Sequence, residues 1–221
     1  MLSNRKNEAI DKTTDTLQQR DRCLGCNRSR ATCFCGFIKP FDTQTRFVLL
    51  MHPKEYKRQT TGTGRMTHQG LRNSEILVNV NFSDSKRLNT LLNDSSYYPV
   101  ILYPGEDSIN LSNNDPFEIP LRKTLLIIIL DGTWRLAKKI RTASTNLHGI
   151  PRICFTPEAA SRYCFKRQPA DFCVSTIEAT YYLLDILDKR GIENLHGIHS
   201  SLLDAFDSLV RYQLSYIDSN T

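Results

Sequence analysis

The feature that most constrains this chain is the segment 124–130, in which Leu125 through Leu130 form an unbroken aliphatic stretch. A strand with one wet face alternates apolar and polar side chains, so a stretch without alternation must be covered on both faces. It is far shorter than the roughly 20 apolar residues a membrane helix needs. The flanking pattern supplies the covering layers. Strand-like segments fall at 46–52, 76–80, 99–103 and 152–155, and helical spacing at 65–73, 85–93, 134–144, 176–189 and 201–217. Strands alternating with helices predict an α/β fold, a mainly parallel sheet with helices on both faces. Residues 105–120 read as a loop.

With 221 residues, 40% of them hydrophobic, the chain can bury a core without disulfides or metals as a substitute. Its net charge of +6 favours polyanionic partners by long-range attraction, nucleic acid among them. Residues 1–20 are polar and without periodicity, which predicts a mobile arm. They lack the apolar stretch of a secretory signal, so the expected location is cytoplasmic, with no membrane partner and with thiols kept reduced.

Four of the seven cysteines, Cys23, Cys26, Cys33 and Cys35, stand in thirteen positions with the spacing C-x2-C-x6-C-x-C. Four thiolates close tetrahedrally on Zn2+ and leave no open position for water, so the expectation is a structural zinc module over 21–40, with an iron–sulfur site or free thiols as the other readings. Cys154, Cys164 and Cys173 read as small hydrophobes that fill the core.

In open parallel sheets ligands sit at the carboxyl ends of strands, which here points to the positions after Tyr103, after Leu130 and after Phe155. The central run ends in Asp131-Gly132-Thr133-Trp134, a carboxylate, a permissive glycine and a hydroxyl at a helix start. The plainer alternative is that Asp131 or Thr133 caps the helix and Trp134 packs in the core.

Taken with its neighbours, this turn resembles the motif of the DTW-domain family. The family's cysteine cluster is similar to Cys23, Cys26, Cys33 and Cys35, its His-Pro segment to His52-Pro53, and its T-N-T-G-R loop to Thr61-Gly62-Thr63-Gly64-Arg65. Its later segments resemble Tyr163-Cys164-Phe165-Lys166-Arg167 and Ser175-Thr176-Ile177-Glu178-Ala179. One departure is Gly62, where the family usually has Asn. The resemblance spans roughly residues 20–210, with 41–221 as the catalytic domain. It implies a knotted, SPOUT-like enzyme that moves the 3-amino-3-carboxypropyl arm of S-adenosylmethionine to N3 of a tRNA uridine, releasing methylthioadenosine.

On that reading Asp131, Thr133 and Trp134 are the catalytic candidates. Asp131 either accepts the imide proton at the pocket mouth or holds the cofactor's ammonium group. Trp134 stacks on uracil or adenine, wedges the cofactor arm into shape, or anchors the core. Leu102, Tyr103, Pro104, Gly105, Asp131, Gly132, Thr133, Ser175 and Thr176 are the cofactor-binding candidates, with a capping box from Ser175 to Glu178 as the other reading of Ser175. Basic side chains cluster beside the turn, at Arg135, Lys138, Lys139 and Arg141, and in the later loop at Arg162, Lys166 and Arg167. With Arg58 and Arg65 they form the expected rim for RNA phosphates. His52 reads as structural, and the other histidines show no ligand spacing. The rival functions are an RNA methyltransferase on a similar scaffold and a zinc-containing RNA-binding protein without catalysis.

Overall fold

The computed structural model describes residues 23–26, 28–30, 33–58, 62–113, 115–157, 161 and 174–218, and leaves out the side chains of Arg58 and of residues 216–218. The arm expected over 1–20 lies outside the described residues. Six strands, β1 (Arg46–Met51), β2 (Ser74–Val78), β3 (Tyr97–Leu102), β4 (Ser108–Asn110), β5 (Thr124–Asp131) and β6 (Arg152–Cys154), form one sheet in the order β2-β1-β5-β3-β6-β4. Every pairing is parallel.

The unbroken aliphatic run is β5, and it lies between β1 and β3, with Leu50 opposite Leu130 and Ile101 opposite Ile128. Its alternate residues enter two cores. Leu125, Ile127 and Ile129 pack with side chains of α2 (Thr63–Gly70), α5 (Thr176–Lys189) and α6 (Ser201–Asp218). Leu126, Ile128 and Leu130 pack on the other face with α3 (Lys86–Asn93) and α4 (Trp134–Ala143). All six are at most 7% exposed. Each contributes on the order of 1.5–3 kcal/mol by leaving water, which is why this segment can accept no polar residue on either side.

A short helix, α1 (Pro53–Arg58), follows β1. Helix α2 ends at Gly70, earlier than the helical spacing over 65–73 suggests. The Gly70 carbonyl accepts from the Phe41 amide and the Ser74 hydroxyl donates to the Leu71 carbonyl at 2.7 Å, so the chain turns directly into β2. Strand β4 lies inside the expected loop 105–120. It has three residues and, among the described residues, pairs with β6 alone, so no hydrophobic alternation announces it. Among the described residues no helix is long and apolar enough to cross a membrane.

The connection from β1 leads to β2 on one side of the sheet, and that from β5 leads past β3 to β6 on the other. That reversal falls between β1 and β5, where Met51 pairs with Asp131 and both side chains are buried.

Candidate functional site

A cavity of about 510 Å³ opens over the carboxyl ends of β3, β5, β6 and β4. That volume is within the usual range for a small-molecule site. All three strand ends picked out from the sequence contribute: Tyr103, Pro104 and Gly105 after β3, Gly132 after β5, and Phe155 with Thr156 after β6. Leu102, Ile129 and Phe155 give it apolar walls, while Ser108, Asn110, Thr156 and Thr176 supply hydroxyl and amide groups. Ser108 and Asn110 come from β4 and were not legible, because the strand itself was not. Cys154, expected in the core, is half-buried and lines the cavity, its Sγ accepting from the Ser108 hydroxyl at 3.2 Å. The parallel pairing of β6 ends there, so the side chain meets open space instead of a covering layer. Cys164 and Cys173 lie outside the described residues.

Asp131 is 6% exposed and is not among the residues that line the cavity. It shares the β5 parity of Ile127 and Ile129, so its side chain turns toward α2 and α5. There Oδ1 accepts a hydrogen bond from the Thr176 hydroxyl at 2.6 Å. On the other flank is Gly64, in the first turn of α2, where a Cβ would collide with the carboxylate. An anionic group against the first turn of a helix is favoured by the exposed amides and the helix dipole. The carboxylate is therefore pinned between the N-termini of two helices, and Thr176, which does line the cavity, links the two.

The rest of the turn is open. Thr133 is the exposed N-cap residue of α4 and its hydroxyl makes no capping hydrogen bond. Trp134 is 37% exposed and lines the cavity, its ring edge-on to Tyr103 with centroids 5.9 Å apart. Ser175 is the N-cap of α5 and forms the capping box with Glu178, whose Oε2 accepts from the Ser175 amide at 2.8 Å and hydroxyl at 2.6 Å. The same oxygen accepts from Ser161 at 2.7 Å, so the buried Glu178 fastens the chain ahead of α5. Gly62 is the N-cap of α2 and makes no side-chain cap.

The basic residues divide. Arg135, Lys138 and Lys139 are exposed along α4, and Arg141 lays its guanidinium 5.6 Å from the Tyr103 ring centre. Arg65 stacks over Tyr56 at 4.1 Å and donates to the Tyr56 carbonyl at 3.0 Å. Arg162, Lys166 and Arg167 and the Arg58 side chain lie outside the described residues. His52 is buried at the end of β1, its Nδ1 accepting from the Lys54 amide at 3.1 Å. Burial, then the charges of Lys139 and Lys54, keeps its pKa below the ordinary imidazole value.

The sulfur atoms of Cys23, Cys26, Cys33 and Cys35 lie within 4.8 Å of one another, a set that can hold a metal ion. Cys23 and Cys35 are 3.6 Å apart, and Cys26 and Cys33 are 3.7 Å apart. The Cys26 amide, followed by the Cys33 thiol, draws the Cys23 thiol down to about 6, while burial pushes Cys26 and Cys35 up. Gly25 gives the cluster room: a Cβ there would lie 3.0 Å from the Gln69 amide nitrogen and 3.2 Å from Cys35 Sγ, both tight contacts. The module rests on the main core, since Cys26 and Phe34 pack in the cluster that also contains Leu71, Leu202 and Phe206.

The DTW domain model matches residues 20–214. Among curated proteins, the chain is 28% identical over 212 residues to a tRNA-uridine aminocarboxypropyltransferase 2 of Drosophila melanogaster, covering 91% of this chain and 78% of the relative. It is 27% identical to the protein of the same name from Macaca fascicularis, over 95% of this chain and 72% of the relative. A tRNA-uridine aminocarboxypropyltransferase A of Arabidopsis thaliana is 25% identical, over 92% and 84%. No solved structure gives a match.

Proposed function

The chain belongs to the DTW-domain family, and on that premise we propose that it transfers the 3-amino-3-carboxypropyl group of S-adenosylmethionine to N3 of a uridine in tRNA. The observation that carries this reading is the position of the family's own turn: Gly132 and Trp134 form part of the wall of the strand-end cavity. The cavity suits a nucleoside cofactor in size and in its mixture of apolar walls with a few hydroxyl and amide groups. Leu102, Tyr103, Pro104, Gly105, Gly132 and Thr176 are in contact with that space. Ser175 acts behind them by capping the helix that carries Thr176. When bound, S-adenosylmethionine supplies an alkyl carbon activated by its sulfonium.

The protein's tasks are orientation and removal of one proton. Asp131 reaches the cavity through Thr176, whose hydroxyl is already donated to the carboxylate. As uridine N3 forms its new bond, its proton passes to Thr176 Oγ1 while the Thr176 proton moves to Asp131 Oδ1. The carboxylate need not face the substrate for this. On this reading Thr133, exposed at the start of α4, meets the approaching RNA strand. The exposed Arg135, Lys138 and Lys139 then serve the phosphate backbone, as do Arg162, Lys166 and Arg167 on this reading.

The four-cysteine cluster on this account holds one structural Zn2+. Zinc–sulfur bonds of about 2.3 Å span a tetrahedron with edges of about 3.8 Å, close to the paired sulfur separations here. The module over 21–40, the catalytic domain over 41–221, the knotted SPOUT-like core and a cytoplasmic location belong to the same reading. The test is nucleoside mass spectrometry of bulk tRNA incubated with the zinc-loaded protein and S-adenosylmethionine. A 3-amino-3-carboxypropyl uridine supports the assignment, methylated uridine supports the methyltransferase alternative, and an unchanged profile leaves only RNA binding.

A further inference from the structure

Trp134 is the sole tryptophan of the chain and lies at the border between the cavity and the exposed basic face of α4. It is not sealed in a core. Its 37% exposure contrasts with the buried Ala137 and Ile140 on the same helix. What holds it is Tyr103, edge-on at 5.9 Å, and Tyr103 is held in turn by Arg141 at 5.6 Å. The Tyr103 backbone is fixed as well, its amide donating to the Ile153 carbonyl at 3.0 Å. An aromatic ring braced by a second ring, and left partly uncovered beside cationic side chains, is how proteins seat an unstacked nucleobase.

Resting on the transferase reading, we infer that Trp134 is the stacking surface for the target uracil and that Tyr103 is the positioning residue that sets the indole plane. The deeper apolar walls from Leu102, Ile129 and Phe155 then enclose the adenosine of the cofactor. This order follows from position. A base delivered by RNA docked on α4 meets Trp134 first, because α4 begins with that residue and carries Arg135, Lys138 and Lys139 outward.

Two measurements on the full-length protein test it. The emission of the single tryptophan is followed while a short single-stranded oligouridine RNA is added, with an abasic strand of equal length as control. The expected result is saturable quenching by the oligouridine and none by the abasic strand; no difference between them overturns the proposal, as does quenching by S-adenosylmethionine alone. In steady-state transfer, Tyr103→Leu is expected to raise the KM for tRNA about two- to tenfold, the range of an edge-to-face aromatic pair, and to raise it more than the KM for S-adenosylmethionine. Tyr103→Phe keeps the ring and restores the wild-type value. A rise in the cofactor KM with the tRNA KM unaltered would assign the seat to adenine and overturn the inference. In all these outcomes methylthioadenosine is still released, whereas absence of that product from the wild-type protein would refute the transferase reading itself.

Discussion

Gly64→Ala tests whether the Asp131 carboxylate is held where the fold places it. In an unobstructed helix the change is stabilising by about 0.8–1 kcal/mol, since alanine loses less backbone entropy than glycine. Here the new methyl would enter the space of Asp131, a residue only 6% exposed, so the carboxylate has no solvent to retreat into. Moving it breaks the 2.6 Å bond from Thr176, a charge-assisted contact worth about 1.5–3 kcal/mol. The displaced packing adds about 1–3 kcal/mol. Set against the propensity gain, the net loss is about 2–5 kcal/mol, which in a chain of this length lowers the melting temperature by roughly 4–20 °C. The assay is thermal and urea denaturation of four proteins, the wild type, Gly64→Ala, Asp131→Ala and the double variant, so that the coupling is isolated. In the Asp131→Ala background the second change should cost nothing or stabilise. A Gly64→Ala protein more stable than wild type, or an equal cost in both backgrounds, would refute the reasoning.

Thr176→Val keeps the shape of the side chain and removes the hydroxyl that joins the cavity to Asp131; turnover is expected to fall 10²- to 10⁴-fold, the range for a lost acid–base group, while Thr176→Ser keeps most of it. Equal activity of Val and Ser variants would show that the proton takes another route. Elemental analysis should find one zinc per chain in the wild type and none in Cys26→Ser. Because Cys26 packs in the main core, chelation should lower the single melting transition of the whole protein, and a separate low-temperature step would contradict that. Burial lowers the pKa of His52 and of His68 below the ordinary imidazole value near 6.5, so the unfolded chain binds protons that the folded chain refuses. Stability should therefore be full above about pH 6.5 and decline as the pH falls below it, with a shallower decline in His52→Gln; a flat profile down to the carboxylate range would contradict this.

What the sequence disclosed follows from how strongly each feature is tied to hydrophobic pattern. The unbroken run at 125–130 required a strand covered on both sides, and its alternation with helical segments pointed to a parallel sheet, so the strand ends were readable while the strand order was not. The three residues of β4 carry serine and asparagine in the cavity wall and gave no such signal. The burial of Asp131 was hidden for a related reason. Both faces of β5 are apolar, so parity alone does not say which face meets the cavity, and the contact that decides it joins residues 45 positions apart. Gly64 was noticed only as part of a glycine- and threonine-rich loop. Its role depends on the approach of α2 to β5, a tertiary fact without a local signature. The cysteine cluster was the opposite case, since four ligands within thirteen positions need only a short chain to meet.

The most direct measurement gives the protein S-adenosylmethionine labelled either in the methyl group or in the four-carbon amino acid arm, together with unmodified tRNA. Aminocarboxypropyl transfer puts arm label in the tRNA and methyl label in released methylthioadenosine. Methyl label recovered in the tRNA, with the arm label retained in S-adenosylhomocysteine, would contradict it.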